Sequence, residues 1–324
     1  MKQFIKSALI DRGAVAVGFV AAGKIDDATH RDYTGWIEDG HHGEMNYLER
    51  HVALRAHTDS VLPGAKTVIS LAFGYKPETF RSPDLPYVSS YAFGEDYHTG
   101  IRKIILPLLS EFKTKFGGKW RLCIDSAPVA ERYWAVKSGI GKRGLNGNVI
   151  VEGCGPFCFL AEILTTIEIP EDTGNAAFTP GEEIHSINSL DTADESSNEC
   201  EKCRQCLSAC PTGALRGDGT MDARLCLNYL TIEKKSDLTS SEIEMIRKGG
   251  GTLFGCDRCL RACPHSRNNE APNIFPQLGH IAGLEPQIIV KMDEETFNRT
   301  FFSSPLLYAG FKRVHRIASL LLPE

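Results

Sequence analysis

The apolar positions in the first 170 residues predict several short strands and one long helix. Apolar side chains at 101, 104, 105, 108, 109, 112 and 116 recur at helical spacing, two glycines follow them, and Pro107 inside predicts a kink. Short apolar runs predict strands at 67–71, 120–124 and 164–169, and residues 14–22 predict a short helix feeding a buried strand. This part is therefore expected to be mixed α/β.

The second half of the chain changes character twice. Residues 171–199 carry eight acidic residues and no Lys or Arg, which predicts a linker or exposed loop. Near the end, Ser304 can cap an amphipathic helix that begins at Pro305 and has apolar residues at 307, 311, 314, 317, 318 and 321. We expect four segments: an α/β domain at 1–170, an acidic linker at 171–199, a cysteine-rich domain at 200–270 and a helical segment at 271–324.

The composition is that of a folded chain of about two domains. It has 324 residues, 42% of them hydrophobic and 24% charged, and a domain typically takes ~150 residues. No apolar run reaches the ~18 residues of a membrane span, and Asp11, Arg12 and Gly18 make the N-terminal run a poor signal peptide. We expect a cytoplasmic protein without membrane attachment. Since the net charge is −5, a nucleic acid would need a local basic surface.

Cysteine spacing is the strongest chemical signal. Eight of the 11 cysteines lie between 200 and 263, which in a cytoplasmic chain indicates metal binding rather than disulfides. The run Cys-x2-Cys-x2-Cys-x3-Cys-Pro starts at Cys200, and a shorter copy starts at Cys256. In two-cluster ferredoxins the last cysteine of such a run binds the other cluster. We predict two [4Fe–4S] clusters, one held by Cys200, Cys203, Cys206 and Cys263, the other by Cys210, Cys226, Cys256 and Cys259.

Two adjacent clusters imply electron transfer to a further acceptor. A pair of zinc sites is the alternative, but zinc does not require three cysteines at 0, 3 and 6 followed by Cys-Pro. Cys123, Cys154 and Cys158 lie outside the motifs and are expected to be packed thiols.

Asp125 is the candidate for acid–base chemistry. It ends a predicted strand beside apolar neighbours, where desolvation would raise the pKa of its carboxyl and let it hold a proton near neutral pH. The alternative is that Asp125 caps a helix beginning near Pro128. The glycine-rich segment 139–144 lacks the strand and acidic partner of a dinucleotide fingerprint, so no nicotinamide or flavin site is expected there.

Several further segments of the chain are distinctive motifs. They are Gly40-His-His-Gly-Glu-Met45, Leu54-Arg-Ala56, Leu62-Pro-Gly64, Tyr91-Ala-x-Gly-x-Asp-Tyr-His98, Asp125-Ser-Ala-Pro-x-x-Glu-Arg132 and Cys226-Leu-Asn-Tyr-Leu-Thr-Ile-Glu233. Together with the cysteine motifs they resemble one known family, the epoxyqueuosine reductases, which are similar to reductive dehalogenases. The match covers nearly the whole chain. It implies a cobalamin-binding α/β domain, nitroreductase-like in fold, joined to a two-cluster ferredoxin-like domain.

The resemblance implies the last step of queuosine biosynthesis, in which an epoxide on the wobble base of tRNA is reduced by electrons from an external low-potential donor. It also implies roles for individual residues. Asp125 matches the general acid and a cofactor contact, and Cys226 matches the fourth ligand assigned above. Expected cobalamin contacts are Arg55, Val149, Leu160 and Asp257, and Tyr229 is expected near the substrate.

A tRNA partner requires a basic surface on this acidic chain. The candidates, expected to bind phosphates of an anticodon arm, are Lys202, Arg204, Arg216, Arg224, Arg258, Arg261, Arg267, Lys312, Arg313 and Arg316. Two other functions stay open: a cobalamin-dependent reductase of a small molecule, and an electron-carrier subunit. We expect a monomer.

Overall fold

A four-stranded sheet forms the centre of the N-terminal half. The computed structural model describes residues 1–76, 81–172, 199–267, 269–272 and 274–322. The strands are β1 (Ala16–Ala21), β2 (Thr67–Gly74), β3 (Tyr87–Val88), β4 (Trp120–Cys123), β5 (Lys142–Arg143), β6 (Val149–Ile150), β7 (Cys158–Thr165) and β8 (Thr252–Phe254). The central sheet has the strand order β1-β2-β7-β4, and its neighbouring strands are all antiparallel.

Helices cover the sheet and build most of the C-terminal half. Helices α1 to α6 belong to the first half, and α7 to α15 to the second. The helices are α1 (Lys2–Ile10), α2 (Asp27–Glu38), α3 (Asn46–Arg50), α4 (Val52–Arg55), α5 (Tyr97–Phe116), α6 (Glu131–Lys137), α7 (Glu199–Cys203), α8 (Gln205–Ser208), α9 (Ser240–Lys248), α10 (Arg258–Arg261), α11 (Gly279–Ala282), α12 (Pro286–Val290), α13 (Glu294–Thr300), α14 (Pro305–Ala309) and α15 (Phe311–Leu320).

The predicted strands at 67–71 and 120–124 are confirmed, whereas the one at 164–169 is displaced. Strand β7 begins at Cys158 and ends at Thr165. Its last residue pairs with Thr67 of β2 and Trp120 of β4, where both neighbours begin. Residues beyond Thr165 therefore have no strand to pair with, and their β-branched side chains do not extend the sheet.

Helices pack on both faces of this sheet. Helices α1 and α5 bury Leu9 and Phe112 in a cluster with residues of β1, β2 and β7. On the other face, Trp134 of α6 packs with Val68 and Leu164. The predicted helix over 101–116 is confirmed and starts earlier, at Tyr97, because the Asp96 side chain caps the N–H groups of the first turn.

The two halves of the chain share core elements, so the division at residue 170 does not separate two independent cores. β3 pairs in parallel with β8, and Ala92 and Phe93 pack into the C-terminal core with Phe254. In return, Phe275 packs into the core of the N-terminal half. The predicted acidic linker lies largely outside the described residues, apart from Glu171 and Asp172 at its start and Glu199 at its end, where α7 begins. The Asp172 carboxylate pairs with Lys2 at 2.7 Å.

The predicted C-terminal helix is two helices. The Ser304 side chain caps α14 by accepting the Leu306 N–H, as expected. α14 then ends at Ala309, and the next residue, Gly310, has a φ of +80° that interrupts the helical path before α15. A left-handed backbone at this position favours glycine and stops the first helix. No helix in the described parts of the chain is both long and apolar enough to cross a membrane.

Candidate active site

A cavity of about 2710 Å³ lies between the α6 region of the first half and the cysteine-rich segment. Pockets for drug-sized ligands measure roughly 300–1,000 Å³, so this one can hold a much larger group. All four cysteines of the second predicted set line it, and of the first set only Cys200 does. Asp125 and Arg55 line the same cavity. The cavity therefore joins the expected acid to one of the two cysteine sets.

Asp125 follows β4 in a strained backbone conformation with φ of +45°. Its Oδ2 lies 3.2 Å from Nε2 of His98, and the other ring nitrogen of His98 lies 3.0 Å from Oδ1 of Asp96. The Asp125 N–H donates to the Glu131 carboxylate. Asp125 is not a helix cap, because α6 begins only at Glu131 and its cap is Ala130. Its side chain instead faces the cavity, with 56% of its surface exposed.

The expectation that Asp125 itself holds a proton near neutral pH is wrong for this arrangement. Burial raises the pKa of its carboxyl, but the hydrogen bond and positive charge of His98 outweigh that effect, and the pKa lies below its usual range. The pKa of the His98 ring is shifted in the opposite direction. Burial lowers its pKa, but Asp125 and Asp96 raise it to about 9. At neutral pH the proton therefore resides on the His98 imidazolium, next to an ionised Asp125.

Two further carboxyl groups belong to the same electrostatic network: Glu131 interacts with Asp125, and Glu162 interacts with Glu131. Burial, followed by the negative charge of Asp125, raises the pKa of Glu131 to about 8, although Arg55 and Arg132 oppose that shift. Glu162, in β7, has no exposed surface. Neither of its carboxyl oxygens has a hydrogen-bond partner among the described residues. Burial, and then Glu131, raise the pKa of Glu162 well above its usual range.

The motif cysteines fall into two groups, and the thiols within each group interact electrostatically with one another. Cys206 interacts with Cys200 and Cys263, and Cys263 interacts with Cys200 and Cys203. The short helices α8 and α10, which carry Cys206 and Cys259, pack against each other. The other group appears around Cys259, which interacts with Cys226, Cys256 and Cys210. Among the described residues, no three His, Cys, Asp or Glu side chains are placed to bind a single metal ion.

Asp257 ties the second cysteine motif to the N-terminal half. Only 2% of its surface is exposed. Its carboxylate accepts hydrogen bonds from the Tyr87 hydroxyl, from Ser90 N–H at 2.8 Å and from Arg261 Nε at 3.3 Å. The residue lines the cavity as expected, but these partners already occupy its carboxylate.

Tyr229 and Arg55 both lie in the cavity wall. The Tyr229 hydroxyl oxygen accepts the Glu44 N–H at 2.8 Å, so it supports the loop that ends at Met45. Arg55 donates from Nη1 to the Val129 carbonyl at 2.8 Å. Its buried Nε has no partner among the described residues, which leaves one donor for a ligand.

Val149 and Leu160, the expected corrin contacts, do not line the cavity. Both pack in a hydrophobic cluster with Ala72 and Ile140. Successive side chains of a strand point to opposite faces, so Phe159 faces the cavity and Leu160 does not. The cavity wall near this position is formed by Ile150, Val151 and Phe159.

The expected basic surface is smaller than the sequence suggests. Several of its guanidinium groups donate to acceptors within the chain, which reduces their capacity to bind phosphates. Arg224 pairs with Asp222, Arg261 with Asp257, Arg313 with the Ala309 carbonyl, and Arg316 with the carbonyls of Lys234 and Ser236. Arg216 and Arg258 line the cavity.

Sequence reasoning assigned no role to His98, Glu131 or Glu162. A signal existed for the first two, because His98 ends the motif that begins at Tyr91 and Glu131 lies in the motif that begins at Asp125. The signal for Glu162 was a single carboxyl inside an apolar strand, since buried Glu is rare unless it is paired.

Comparison with known proteins decides the family. The model described as "Epoxyqueuosine reductase QueG, DUF1730" matches residues 55–126, and that of a 4Fe-4S double cluster binding domain matches residues 199–266. The epoxyqueuosine reductase of Cyclobacterium marinum is 32% identical over 86% of this chain and 84% of its own. The chain belongs to the epoxyqueuosine reductase family.

Solved structures of epoxyqueuosine reductases have the same fold. The enzyme of Streptococcus thermophilus superimposes with a TM-score of 0.81 at 25% identity, over 99% of this chain and 80% of its own. A crystal structure of an epoxyqueuosine reductase with an epoxyqueuosine-modified tRNA-Tyr stem loop matches with a TM-score of 0.79 at 24% identity, over the same shares. The mixed α/β fold with a cysteine-rich second half is therefore the fold of the epoxyqueuosine reductases.

Proposed function

We propose that this chain reduces epoxyqueuosine to queuosine at the wobble position of tRNA. The observation that carries the proposal is one cavity, in a member of this family, that is lined both by the acid network at Asp125 and by the second cysteine set. The reaction takes one epoxide, two electrons and two protons, and it yields an alkene and water. The cavity combines the two requirements, because electrons can arrive through the cysteine set and protons through the acid network.

The two groups of four cysteines fit two [4Fe–4S] clusters. Four thiolates bind each such cluster, and the match to a double cluster domain spans all eight cysteines. The proposed ligands are Cys200, Cys203, Cys206 and Cys263 for one cluster, and Cys210, Cys226, Cys256 and Cys259 for the other. Since all four of the latter line the cavity, electrons would enter through the first cluster and leave through the second.

The cavity also fits a corrin cofactor. It is several times larger than a drug-sized pocket. In its wall, Arg55 keeps a buried Nε without a partner in the described structure. Cobalamin bound there would supply the low-potential chemistry that transfers electrons to the epoxide. Arg55 would hold the cofactor with that free donor, and Ile150, Val151 and Phe159 would exclude water.

The residues around Asp125 supply protons. An alkoxide leaves poorly from an opened epoxide, so its oxygen must be protonated as the C–O bond breaks. Asp125 projects into the cavity and is hydrogen-bonded to the His98 imidazolium. His98 passes its proton to Asp125, which delivers it to the epoxide oxygen. Asp96, on the far side of the ring, stabilises the charge on His98 beforehand.

The substrate is proposed to be an anticodon arm, with the wobble base turned into the cavity. Sequence-specific RNA recognition usually targets unstacked bases of single-stranded loops. Arg132 and Arg216 in the cavity wall could contact the adjacent phosphates. We further propose that the chain acts as a cytoplasmic monomer and takes electrons from an external low-potential donor.

An anaerobic turnover assay tests this function. The reconstituted protein is given cobalamin, a low-potential reductant and an anticodon stem loop containing epoxyqueuosine, and queuosine is measured by mass spectrometry. We expect conversion that requires both cobalamin and the clusters. Failure of the fully loaded protein to convert the stem loop would contradict the proposal.

Two controls separate the alternatives. Visible spectra of the loaded protein should show a corrinoid in addition to the cluster absorption, whereas an electron-carrier subunit would show clusters alone. Small organic halides should not be reduced at a comparable rate. Reduction of halides without conversion of the stem loop would indicate a small-molecule reductase.

A further inference from the structure

Glu162 occupies an unusual place in the central sheet. It pairs directly with Ser70 of β2 on one side and with Cys123 of β4 on the other, and Ser70 in turn pairs with Gly18 of β1. Directly paired residues of neighbouring antiparallel strands point to the same face. Glu162, Ser70 and Cys123 therefore form a row across the face that α6 covers. All three are fully buried.

This row contains more polar groups than partners for them. Among the described residues, neither Glu162 oxygen nor the Ser70 hydroxyl has a hydrogen-bond partner. A buried polar group without a hydrogen-bond partner is energetically unfavourable, so each such group in a folded protein calls for an explanation. A buried carboxyl without a cationic partner avoids a larger cost by keeping its proton. Burial, and then Glu162, likewise raise the pKa of the neighbouring Cys123 thiol to about 12.

Glu131 connects this row to the site. It is the first residue of α6, which packs against β7, and it lies in the cavity wall. Its carboxyl accepts the backbone N–H of Asp125. The charged groups that act on Glu131 are Asp125, Arg55 and Arg132 from the cavity side and Glu162 from the sheet. Glu131 thus interacts both with Asp125 and with the buried Glu162.

Epoxide deoxygenation needs two protons, and the pair His98–Asp125 delivers one. The first proton reaches the oxygen as one C–O bond breaks, and the product of that step is a hydroxyl group. The second C–O bond breaks only when that hydroxyl receives another proton and leaves as water. After the first transfer, His98 is neutral and Asp125 is ionised, so a second source must supply Asp125.

We propose that Glu131 and Glu162 form a proton-storing carboxyl pair that supplies this second proton through Asp125. Glu131 gives its proton to Asp125. Glu162, whose oxygens have no hydrogen-bond partner among the described residues, keeps its own proton and so places no second negative charge beside Glu131 when Glu131 ionises. Both residues are positioning residues in this scheme, because neither has to touch the substrate. The scheme rests on the proposed function for its use of the proton, whereas storage of the proton is a property of the chain alone.

Infrared difference spectra of the intact protein test the storage directly. Un-ionised carboxyl groups absorb apart from carboxylates, and ordinary Asp and Glu residues, with pKa values of about 4, are ionised at about pH 7. The wild type should show un-ionised carboxyl absorption at about pH 7 and lose part of it near pH 8. Glu162→Gln should remove the part that persists at higher pH, and Glu131→Gln the part that titrates near pH 8.

Glu168→Gln is the matched control, because Glu168 follows the same strand but its side chain is 83% exposed and pairs with Lys66 at 3.9 Å. Its spectrum should equal that of the wild type. Absence of un-ionised carboxyl absorption in the wild type at about pH 7 would overturn the proposal, as would spectra of Glu131→Gln and Glu162→Gln identical to those of the control.

The rate of conversion tests how the stored proton is used. We expect the wild-type rate to fall above about pH 8 and Glu131→Gln to lose roughly 10²-fold at neutral pH, with no further fall near pH 8. An unchanged rate and pH profile in Glu131→Gln would refute the second-proton role. If the wild type shows the stored protons but does not convert the stem loop, the proposed function fails while storage stands.

Discussion

At the scale of single residues, the position of one proton separates the structure from the sequence-based expectation. A carboxyl at a strand end beside apolar residues is expected to be neutral, yet Asp125 is next to His98 and its pKa is lowered. The His98 imidazolium exists at neutral pH because the carboxylates of Asp96 and Asp125 each contact one of its ring nitrogens. In the proposed mechanism, Asp125 therefore delivers the proton and His98 supplies it.

Asp125→Asn tests this division of roles. The variant should keep cobalamin and both clusters but lose roughly 10²–10⁴-fold in turnover, because an amide cannot pass on a proton. The pKa of His98 should fall from about 9, since one of its two carboxylate partners is removed. Turnover assays and NMR titration of the His98 ring measure the two effects.

The control is Asp27→Asn, which replaces a carboxylate that is 59% exposed and paired with Lys24. It should leave both readouts unchanged. Wild-type turnover in Asp125→Asn would remove Asp125 from the mechanism.

At the scale of elements, helix caps determine where helices begin, and side-chain hydrogen bonds between segments hold the loops of the cavity wall. Helix α9 starts with a capping box in which Thr239 and Glu242 satisfy each other's backbone N–H groups. The loop that ends at Met45 is held by the Glu44 carboxylate, which accepts hydrogen bonds from the Lys235 and Ser236 N–H groups. Both contacts fix segments that flank Tyr229.

Thr239→Ala should lower the free energy of unfolding by about 1 kcal/mol, because it removes the cap of α9. Urea denaturation under anaerobic conditions measures the change. Thr114→Ala is the comparison, since Thr114 lies in the exposed part of α5 and its hydroxyl donates to the Ser110 carbonyl within the same helix. A loss for Thr239→Ala no greater than for Thr114→Ala would show that the cap does not stabilise the fold.

Glu44 should make stability depend on pH in the acid range. Burial raises the pKa of its carboxyl, but hydrogen bonds from Ser236 and Lys235 and the charge of Lys234 lower it to about 2. A lowered pKa means that the stabilisation is complete above the unfolded value of about 4.3 and disappears as the pH falls toward 2. The side chain is 31% exposed, so we expect about 1–2 kcal/mol.

Glu44→Gln should remove this stabilisation at neutral pH, and the difference from wild type should shrink as the pH falls below about 4. Urea midpoints at several pH values measure it, with the exposed Glu168→Gln as the control. A constant difference across that range would show that ionisation of Glu44 does not stabilise the fold.

At the scale of the whole molecule, the fold brings the second cysteine set and the acid network of Asp125 to the lining of one cavity. Residues 88–93 pack into the C-terminal core, and Phe275 packs into the N-terminal core. This exchange of elements joins the half that carries Asp125 to the half that carries the second cysteine set. The two halves should therefore behave as one cooperative unit.

Loss of one ligand should remove one cluster and stop turnover. Cys226→Ser should retain about four of the ~8 irons of two clusters, because a buried hydroxyl is a poor substitute for a thiolate. Iron analysis and electron paramagnetic resonance after anaerobic reconstitution measure this change. Cys123→Ser is the control, since Cys123 is buried in the sheet, and it should keep all the iron. Full iron content in Cys226→Ser would contradict the ligand assignment.

The sequence by itself determined the features that depend on local spacing. Three cysteines at 0, 3 and 6 before Cys-Pro indicate clusters whatever surrounds them, and the helical period over 101–116 predicts α5. Ser304 before Pro305 predicts the start of α14. In each case neighbouring residues along the chain supply the interacting groups, so no tertiary information is needed.

Only the tertiary structure decided the features that depend on contacts between distant segments. The end of β7 at Thr165 follows from where β2 and β4 begin. The ionised state of Asp125 follows from its contact with His98, which lies 27 residues earlier in the chain. Glu162 is buried only because the sheet is assembled and α6 covers the face on which Glu162 lies. Electrostatic and desolvation energies depend on distance through space, and spacing along the chain does not determine that distance.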